Sequence, residues 1–588
     1  MADSSNPATK HVYNRFLLLV AGLSGLLYGI DVGIIGGALP YLEATSKLTG
    51  AQLSIIVAAV LLGSMFSTLF AGMLSDLIGR KPMMVIGGTV FVLSIPVIAL
   101  SQGYGALFMG RLLQGISGGF VGVVVPLYLA ECLPASTRGK GTGVFQWLLT
   151  LGIVFAAVIG IYYSYRVAEV ARVSSAEVVF AVKSQAWRRI FWMCMPAGVV
   201  FAVSSLFVAE SPRWLYRRGK KNLALAALLR SHNEEQAQIE LREMEQLALS
   251  GDNGAATASG HQSLLSRQYV IPFLLACVIL FCSTATGVNS IIGYNTDILL
   301  QSGLSDVHAH WGYVVFTVVN FLMTVIGLTL VDRKGRKFLF VLGTSGIIVS
   351  LLFVAALFLQ TERQRHDVGG TLQQMVTSDH RLSLEFDQAE ARRLIASNHI
   401  TSDGQVSLSV IYSFGGFTAT TSTVRSDDAG AAPIQINRGN CVPSNGVEAF
   451  FRNPFVSLDV ARTAPLRIEH AYLAPVASAT HGWLVAVGLY GFIAFYALGP
   501  GVCVWLALSE LMPTRIRSNG MSIALVINQL VSTTLAAIFL PVVGKYGYST
   551  MFFLFTGFTV IFLLTTAFFL PETKGKTLEE IEEHFRGM

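Results

Sequence analysis

Charged residues are scarce in this 588-residue chain, which limits the class of protein it can be. Asp, Glu, Lys and Arg together make up 13% of the residues, whereas 53% are hydrophobic. A soluble domain carries about 25% charged residues. The composition therefore excludes an ordinary soluble protein and indicates one that crosses a membrane several times.

Cysteine is also rare, and a cleavable leader is lacking. The six cysteines form no C-x-x-C pair and nearly all lie in or beside apolar runs, so neither a metal site nor a disulfide framework follows. The first residues, MADSSNPATKHVYNR, are polar, and the first apolar run is too long for the core of a signal peptide. We expect no cofactor and no cleaved signal.

Apolar runs long enough to span a bilayer are abundant instead. A spanning helix needs about 20 residues, and about twelve such runs occur. The predicted spans are 15–40, 52–73, 83–101, 106–130, 140–163, 190–209, 269–300, 311–331, 338–360, 481–508, 518–541 and 549–570.

Positive charge is concentrated after spans two, four, six, eight and ten. The clusters are GRKP, TRGK, RWLYRRGKK, DRKGRK and TRIR. By the positive-inside rule these loops face the cytoplasm, which places both termini there as well. Because the charges punctuate apolar spans rather than form one patch, we expect a multi-pass protein of the cell membrane that binds the lipid bilayer and no nucleic acid.

Two long segments lack spanning character. The first, 211–268, carries charges and helix formers that predict short cytoplasmic helices. The second, 361–480, should be extracytoplasmic; SLEFDQAEARRLIA predicts a helix there, and VSLSVIYSF and TATTSTV favour strands, so we expect a small folded insert. The predicted units are 1–210, 211–268, 269–360, 361–480 and 481–588.

The two halves of the chain repeat three acidic–basic signatures at matching places. Such repetition indicates a duplicated six-span unit, as in major facilitator transporters, whose substrate site lies between the halves near mid-membrane. The signatures are DLIGRK (Asp76, Arg80) and DRKGRK (Asp332, Arg336), E-x6-R (Glu131 to Arg138 and Glu510 to Arg517), and ESPR (Glu210, Arg213) with PETKG (Glu572).

Taken together, these motifs resemble those of the sugar porter family of the major facilitator superfamily, along all spans but not over the 361–480 insert. The resemblance implies an all-α membrane protein of about twelve helices in two six-helix halves with a small extracytoplasmic insert. Members include facilitative glucose carriers of animals and proton-coupled xylose, arabinose and galactose symporters of bacteria. A long loop between spans nine and ten also occurs in the proton–myo-inositol symporter.

The cytoplasmic charges predict a gate. Pairs such as Asp76 with Arg80 would hold the halves closed on the cytoplasmic side and break when that side opens. An exposed pair is worth about 0–1 kcal/mol, so several together suit a latch, although some of them can instead merely anchor helix ends. The predicted gating residues are Asp76, Arg80, Glu131, Arg138, Glu210, Arg213, Asp332, Arg336, Glu510, Arg517 and Glu572.

A sugar site needs amides for the hydroxyls and an aromatic ring for the apolar faces. Where the family has a glutamine pair before Asn289, this chain has Ser283 and Thr284, which implies a wider pocket and leaves a polyol as a candidate ligand. A lone amide can instead join two helices, a contribution of about 0.6 kcal/mol. With Ser283 and Thr284, the resemblance assigns to the substrate site Gln146, Asn289, Asn320, Trp505, Asn528 and Gln529.

Glycine and proline mark two expected breaks beside this site. They are Gly287 and the run Gly499-Pro500-Gly501. Proline removes a backbone hydrogen bond and glycine leaves the chain permissive. We expect hinges there for alternating access; the alternative is tight helix packing through small residues.

Asp31 lies in LLYGIDVGII, with no other charge within about two helical turns. An ionised carboxylate in hydrocarbon costs roughly 2.5–3.5 kcal/mol on insertion scales. Proton-coupled family members have an aspartate and an arginine at positions matching Asp31 and Arg111, whereas uncoupled carriers have asparagine for Asp31. Low dielectric favours the neutral carboxyl, and a nearby guanidinium favours the charged one. If a conformational change alters the distance between Asp31 and Arg111, the affinity of Asp31 for a proton changes with conformation.

We therefore expect a proton-coupled monosaccharide symporter, with a hexose or pentose and a proton as its small partners, that functions as a monomer. The alternatives are an uncoupled sugar or polyol facilitator, in which Asp31 and Arg111 form a structural pair, and a sugar sensor with the transporter fold. An enzyme is the remote alternative, because the insert offers no nucleophile–base pair, metal spacing or phosphate loop.

Overall fold

The structure is a computed structural model of the chain. It describes residues 7–46, 48–133, 135–254, 267–400, 404–421, 423–428, 433–443, 445–446, 449, 456–512, 517–574, 580 and 585.

Helices dominate these residues, and seven short strands lie between residues 366 and 475. The α-helices are α1 (Pro7–Thr45), α2 (Gly50–Ile78), α3 (Arg80–Ala99), α4 (Tyr104–Cys132), α5 (Ala135–Ala171), α6 (Ala176–Trp192), α7 (Met195–Phe207), α8 (Pro212–Arg217), α9 (Lys221–Ser231), α10 (Glu234–Gly254), α11 (Arg267–Ala285), α12 (Val288–Gly293), α13 (Asn295–Gln301), α14 (Asp306–Lys334), α15 (Arg336–Glu362), α16 (Gly369–Gln374), α17 (Gln388–Ser397), α18 (Leu458–Thr463), α19 (Ala479–Leu498), α20 (Pro500–Leu511), α21 (Arg517–Tyr546) and α22 (Tyr548–Phe568). The strands are β1 (His366–Asp367), β2 (Leu382–Leu384), β3 (Val406–Phe414), β4 (Phe417–Thr420), β5 (Val424–Arg425), β6 (Ile434–Ile436) and β7 (Leu466–Pro475).

Within the described residues, 12 helical stretches are long and apolar enough to cross a membrane, which confirms the predicted multi-pass fold. Several of them begin earlier than predicted, and the sixth and the eighth show why. The sixth begins at Ala176 rather than at 190, and the eighth at Asp306 rather than at 311. Both early turns contain polar or charged side chains, which lower local hydropathy although the helix continues through them.

Glycines let the spanning helices approach closely. A Cβ added at Gly29 of α1 would lie 1.9 Å from the carbonyl oxygen of Leu149 on α5, and one at Gly115 of α4 would lie 2.0 Å from that of Val60 on α2. Small residues at helix interfaces allow such backbone contact in membrane proteins. The pairs α1–α5 and α2–α4 therefore pack within the N-terminal half.

The insert folds around its own apolar core between α15 and α19. Its larger sheet has the order β1-β7-β3-β4, with β5 also paired to β3, and β2 pairs with β6. The strand predicted from VSLSVIYSF is confirmed as β3, whereas TATTSTV divides between β4 and β5. The predicted helix begins only at Gln388, because residues 382–384 pair with β6 as strand β2.

Candidate functional site

Asp31 and Arg111 lie together in the interior of the N-terminal half. Both side chains are almost fully buried, and the Arg111 Nη1 atom lies 4.0 Å from Asp31 Oδ1. Arg111 Nη1 donates a hydrogen bond of 2.6 Å to Gln114 Oε1. Among the described residues, neither carboxylate oxygen of Asp31 has a hydrogen-bond partner. The predicted pair is thus formed as a loose contact, in which the guanidinium is held by an amide.

Tyr28 lies between Asp31 and the C-terminal half. It is one helical turn before Asp31 on α1, and the side chains of Ser64 and Gln529 lie near its hydroxyl. Gly118 of α4 gives both residues room, since a Cβ there would lie 3.2 Å from Asp31 Oδ2 and 3.4 Å from the Tyr28 ring. The sequence analysis missed Tyr28, although its spacing of three residues from Asp31 places both on one helix face.

Three predicted polar residues of the C-terminal half bond to neighbouring helices. Asn289 Nδ2 donates to Ser532 Oγ at 2.6 Å. Thr284 accepts a hydrogen bond from Asn528. This second contact joins α11 to α21 without a ligand, which is the packing role left open for lone amides.

The remaining predicted substrate residues differ in exposure. Trp505 on α20 is 49% exposed, and Asn320 on α14 is buried. Gln146 on α5 and Gln529 on α21 are half-buried. Ser283 is buried, and its hydroxyl lies 3.5 Å from that of Tyr496. Tyr496 and Ser532 are contacts that the sequence analysis missed, because neither residue stands out from its span.

Both predicted helix breaks are present. Gly287 separates α11 from α12 and has φ 85°, in the left-handed region. Gly499 separates α19 from α20, and Pro500 begins the second helix. A Cβ at Gly499 would lie 2.5 Å from the carbonyl oxygen of Leu339, so this break is also a place of close packing. Gly501 lies in the first turn of α20.

Replacing Gly287 by alanine should destabilise the protein. The left-handed conformation costs a non-glycine residue about 1–2 kcal/mol. The added Cβ would lie 2.5 Å from the Phe555 ring, and overpacking costs a further 1–3 kcal/mol or so. We expect a clearly lower midpoint of thermal unfolding in detergent for Gly287→Ala. Gly72→Ala is the matched control, since no atom lies within 4 Å of its added Cβ; equal midpoints for the two variants would contradict this reasoning.

A charged cluster joins the helix ends of the N-terminal half at which the basic motifs lie. Arg80 donates from Nε and Nη2 to the two carboxylate oxygens of Glu131, each at 3.0 Å. Arg80 also pairs with the exposed Asp76 at 2.7 Å. Glu210 Oε1 accepts from the backbone N–H of Arg80 at 2.9 Å and of Ser211 at 2.7 Å. Burial raises the pKa of Glu210, and these backbone hydrogen bonds oppose the rise.

The C-terminal half repeats this cluster. Arg336 Nη2 donates to Glu510 Oε1 at 3.1 Å, and the Arg336 backbone N–H donates to Glu572 Oε1 at 3.0 Å. Thr573 donates to Glu510 at 2.6 Å, as Ser211 donates to Glu131 in the first half. The duplicated motifs thus build the same arrangement twice.

The described pairs of both clusters join helices of the same half. This differs from the prediction that they hold one half against the other, and it matches the alternative in which they anchor helix ends. Arg213 is exposed, and no ion pair involving it is found among the described side chains. The side chains of Arg138, Asp332 and Arg517 lie outside the described part of the structure.

Contacts between the halves cluster at the other end of the bundle, beside the insert. Tyr41 on α1 donates to Asp306 on α14 at 2.9 Å, and Ser164 on α5 donates to the same carboxylate at 2.8 Å. His310 Nε2 lies 3.2 Å from the carbonyl oxygen of Gly37. The conformation is therefore closed at the end that carries the insert.

The insert adds contacts to both halves. Arg425 of β5 donates to the carbonyl oxygens of Leu300 at 3.0 Å and Leu304 at 3.2 Å. Asp428 forms an ion pair with Lys183 of α6. A cavity of about 930 Å³ remains between the insert and the helix ends, and its lining includes Tyr41, Tyr165, Asp306, Arg425 and Gln435.

A family model settles what kind of protein has this arrangement. The model described as "Sugar (and other) transporter" matches residues 17–375 and 467–585. The chain belongs to this family. It is a transporter of the sugar transporter family and not an enzyme, and its fold is that of a major facilitator protein. The gap between the two matched ranges, 376–466, lies inside the insert.

Individual relatives and structures agree with the family. A proton myo-inositol cotransporter of Caenorhabditis elegans is 26% identical over 99% of this chain and 92% of its own length. The glucose transporter GlcP of Staphylococcus epidermidis is 24% identical over 97% and 98%. The inward-open xylose transporter XylE from E. coli has the same fold, with a TM-score of 0.63, 18% identity, and coverage of 96% and 98%.

Proposed function

We propose that the chain is a proton-coupled symporter that moves a monosaccharide or a related polyol across the cell membrane by alternating access. The observation that carries the proposal is Asp31, whose carboxylate oxygens have no described hydrogen-bond partner and lie 4.0 Å from a guanidinium. Binding a proton removes the unfavourable buried charge. A closer approach of Arg111 favours releasing it, so conformational change can move the proton.

The link through Tyr28 supports coupling to the substrate. Gln529 is a proposed substrate contact, and Tyr28 lies near it on the same helix face as Asp31. We propose that a ligand bound to Gln529 acts on the proton site through this tyrosine. Asp31 and Arg111 act as the proton-coupling pair, with Gln114 positioning the guanidinium.

A polyol such as an inositol is a candidate substrate, as are hexoses and pentoses. Ser283 and Thr284 shorten the side chains before Asn289. Proton myo-inositol cotransporters of Caenorhabditis elegans and Homo sapiens align with 99% of this chain, at 26% and 25% identity. We propose that both termini are cytoplasmic, following the basic clusters, and that the monomer is the transporting unit.

The proposed substrate residues make separable predictions. Gln146 is half-buried on α5, and losing one hydrogen bond of about 1–1.5 kcal/mol lowers affinity roughly tenfold. Gln146→Ala should therefore raise KM about tenfold. Asn528 already bonds Thr284 and the Leu280 carbonyl, so Asn528→Ala should lower thermal stability more than it raises KM. Uptake kinetics and thermal unfolding of both variants check this, and an unchanged KM in Gln146→Ala would remove Gln146 from the site.

The function is tested by uptake of labelled glucose, xylose and myo-inositol into proteoliposomes, with and without an imposed proton gradient. We expect at least one substrate to accumulate above equilibrium only when the gradient is present. Equilibration that ignores the gradient would make the protein a facilitator. No uptake of any substrate, with binding retained, would favour a sensor.

The uncoupled facilitator is the second candidate. Arg111 lies close enough to Asp31 to act as a structural ion-pair partner. A facilitated glucose transporter of Mus musculus is 25% identical over 96% of this chain. In that case Asp31 and Arg111 stay charged throughout transport.

A further inference from the structure

His310 lies at the contact between the two halves, away from Asp31 and from the proposed substrate residues. It is fully buried near the start of α14, and its ring stacks on Tyr41 of α1 with centroids 5.4 Å apart. A Cβ added at Gly160 of α5 would lie 3.3 Å from the ring. The imidazole is thus enclosed by helices of both halves.

Both ring nitrogens of His310 face oxygen acceptors. Nδ1 lies 2.9 Å from the carbonyl oxygen of Asp306 and 3.3 Å from its Oδ1. Nε2 lies 3.2 Å from the carbonyl oxygen of Gly37. A neutral imidazole has one donor and one acceptor nitrogen, and only the imidazolium has two donors. The geometry around the ring therefore fits the doubly protonated form.

We propose that His310 is a second proton-binding site. It carries a proton when the end of the bundle that carries the insert, here called the outer end, is closed. Closure of the outer end therefore depends on the pH of the extracytoplasmic solution. Opening that end separates α14 from α1 and removes the Gly37 acceptor. The histidine then becomes hydrated like an ordinary one. The closed end consequently binds the proton more strongly than the open end, and by linkage the proton favours closure.

The neighbouring charges favour the imidazolium. Asp306 lies on the same helix and is the anion in direct contact, while Tyr41 and Ser164 donate to its other oxygen and so hold it in place. Beyond Tyr41, Asp428 of the insert is paired with Lys183 of α6. Asp306 and Tyr41 also line the 930 Å³ cavity beneath the insert, which gives protons a route from that side.

The direction of the pH effect follows from these contacts. The bound proton stabilises the closed conformation relative to the open one, and this contribution is complete below about pH 6.5, where an exposed histidine is itself protonated. It is lost at higher pH as the proton leaves the closed form. Asp297 is a separate titratable group that lines the same cavity, and Tyr548 donates to its carboxylate. A change that persists in His310→Gln belongs to such a group and not to His310.

The test measures opening directly. Spin labels at Val173→Cys and Tyr546→Cys, both exposed at the outer end of different halves, report the distance between the halves by pulsed electron resonance in nanodiscs without substrate. All six native cysteines are buried. We expect the ratio of closed to open molecules to fall by up to about tenfold per pH unit above pH 6.5. In His310→Gln, we expect this ratio to change little with pH.

Three further variants make the outcome decisive. His308→Gln, at an exposed histidine on the same helix, should keep the wild-type curve. Asp306→Asn should move the fall to lower pH, because the imidazolium loses its anion. Asp31→Asn should leave the curve unchanged, so failure of proton symport is distinguishable from failure of this inference. A wild-type pH dependence in His310→Gln would overturn the proposal. If His310→Gln does not fold, an unshifted midpoint in Asp306→Asn would overturn it instead.

Discussion

Asp31→Asn should abolish gradient-driven accumulation while leaving exchange of substrate across the membrane. One proton moving down about 100 mV supplies roughly 2.3 kcal/mol, and one pH unit adds about 1.4 kcal/mol. Together these permit accumulation of several hundred-fold or so at one proton per sugar. Asparagine keeps the shape of the side chain but cannot carry a proton, so the ratio should fall to about one.

Two measurements separate loss of coupling from loss of folding. Counterflow of labelled against unlabelled substrate should persist in Asp31→Asn, because it needs no net proton movement. Asp459→Asn, at a carboxylate of the insert with 91% side-chain exposure, should accumulate substrate like the wild type. Accumulation that survives in Asp31→Asn would assign the proton to another group.

Arg80→Ala should be the most destabilising change in the two charged clusters at the helix ends. Its guanidinium and the Glu131 carboxylate are only 3% and 8% exposed. Removing one partner of a buried pair costs about 3–5 kcal/mol, because the other charge stays buried without compensation. The corresponding pair in the other half, Arg336 and Glu510, is 14% and 22% exposed, so Arg336→Ala should cost less. Thermal unfolding in detergent checks the order.

A double variant tests the cause. Arg80→Ala combined with Glu131→Gln should recover part of the lost stability, since no uncompensated charge remains. Arg166→Ala removes an exposed pair with 60% and 70% side-chain exposure, and such pairs contribute about 0–1 kcal/mol. Equal losses in Arg80→Ala and Arg166→Ala would show that burial of the pair is not what stabilises it.

The spans and the helix breaks could be predicted because each leaves a local signal. Long apolar runs gave the spans, and Gly287 and Gly499 each stand between two helices. The repeated motifs likewise predicted that Arg80 and Arg336 occupy matching places. The hydroxyls of Ser211 and Thr573, which donate to Glu131 and Glu510, were missed, because the partner of a side chain depends on how distant helices pack.

The contact at His310 could not be predicted for a related reason. The eighth span was placed from 311, since Asp306 and the two histidines after it lower the hydropathy of the first turns. The helix nevertheless begins at Asp306, because Tyr41 and Ser164 of other helices bond its carboxylate. Polar ends of spans look like loops until the helices that satisfy them are known. Strand β7 was not predicted, because a bulge at Glu469 interrupts the alternation of its buried and exposed residues.

The most direct test of proton symport needs no variant. Proteoliposomes in a weakly buffered medium, with no gradient imposed, receive unlabelled substrate while the external pH is followed. We expect the medium to turn alkaline as protons enter with the sugar, and a protonophore to abolish the change. Entry of labelled sugar with no change in pH would contradict coupling and make the protein a facilitator.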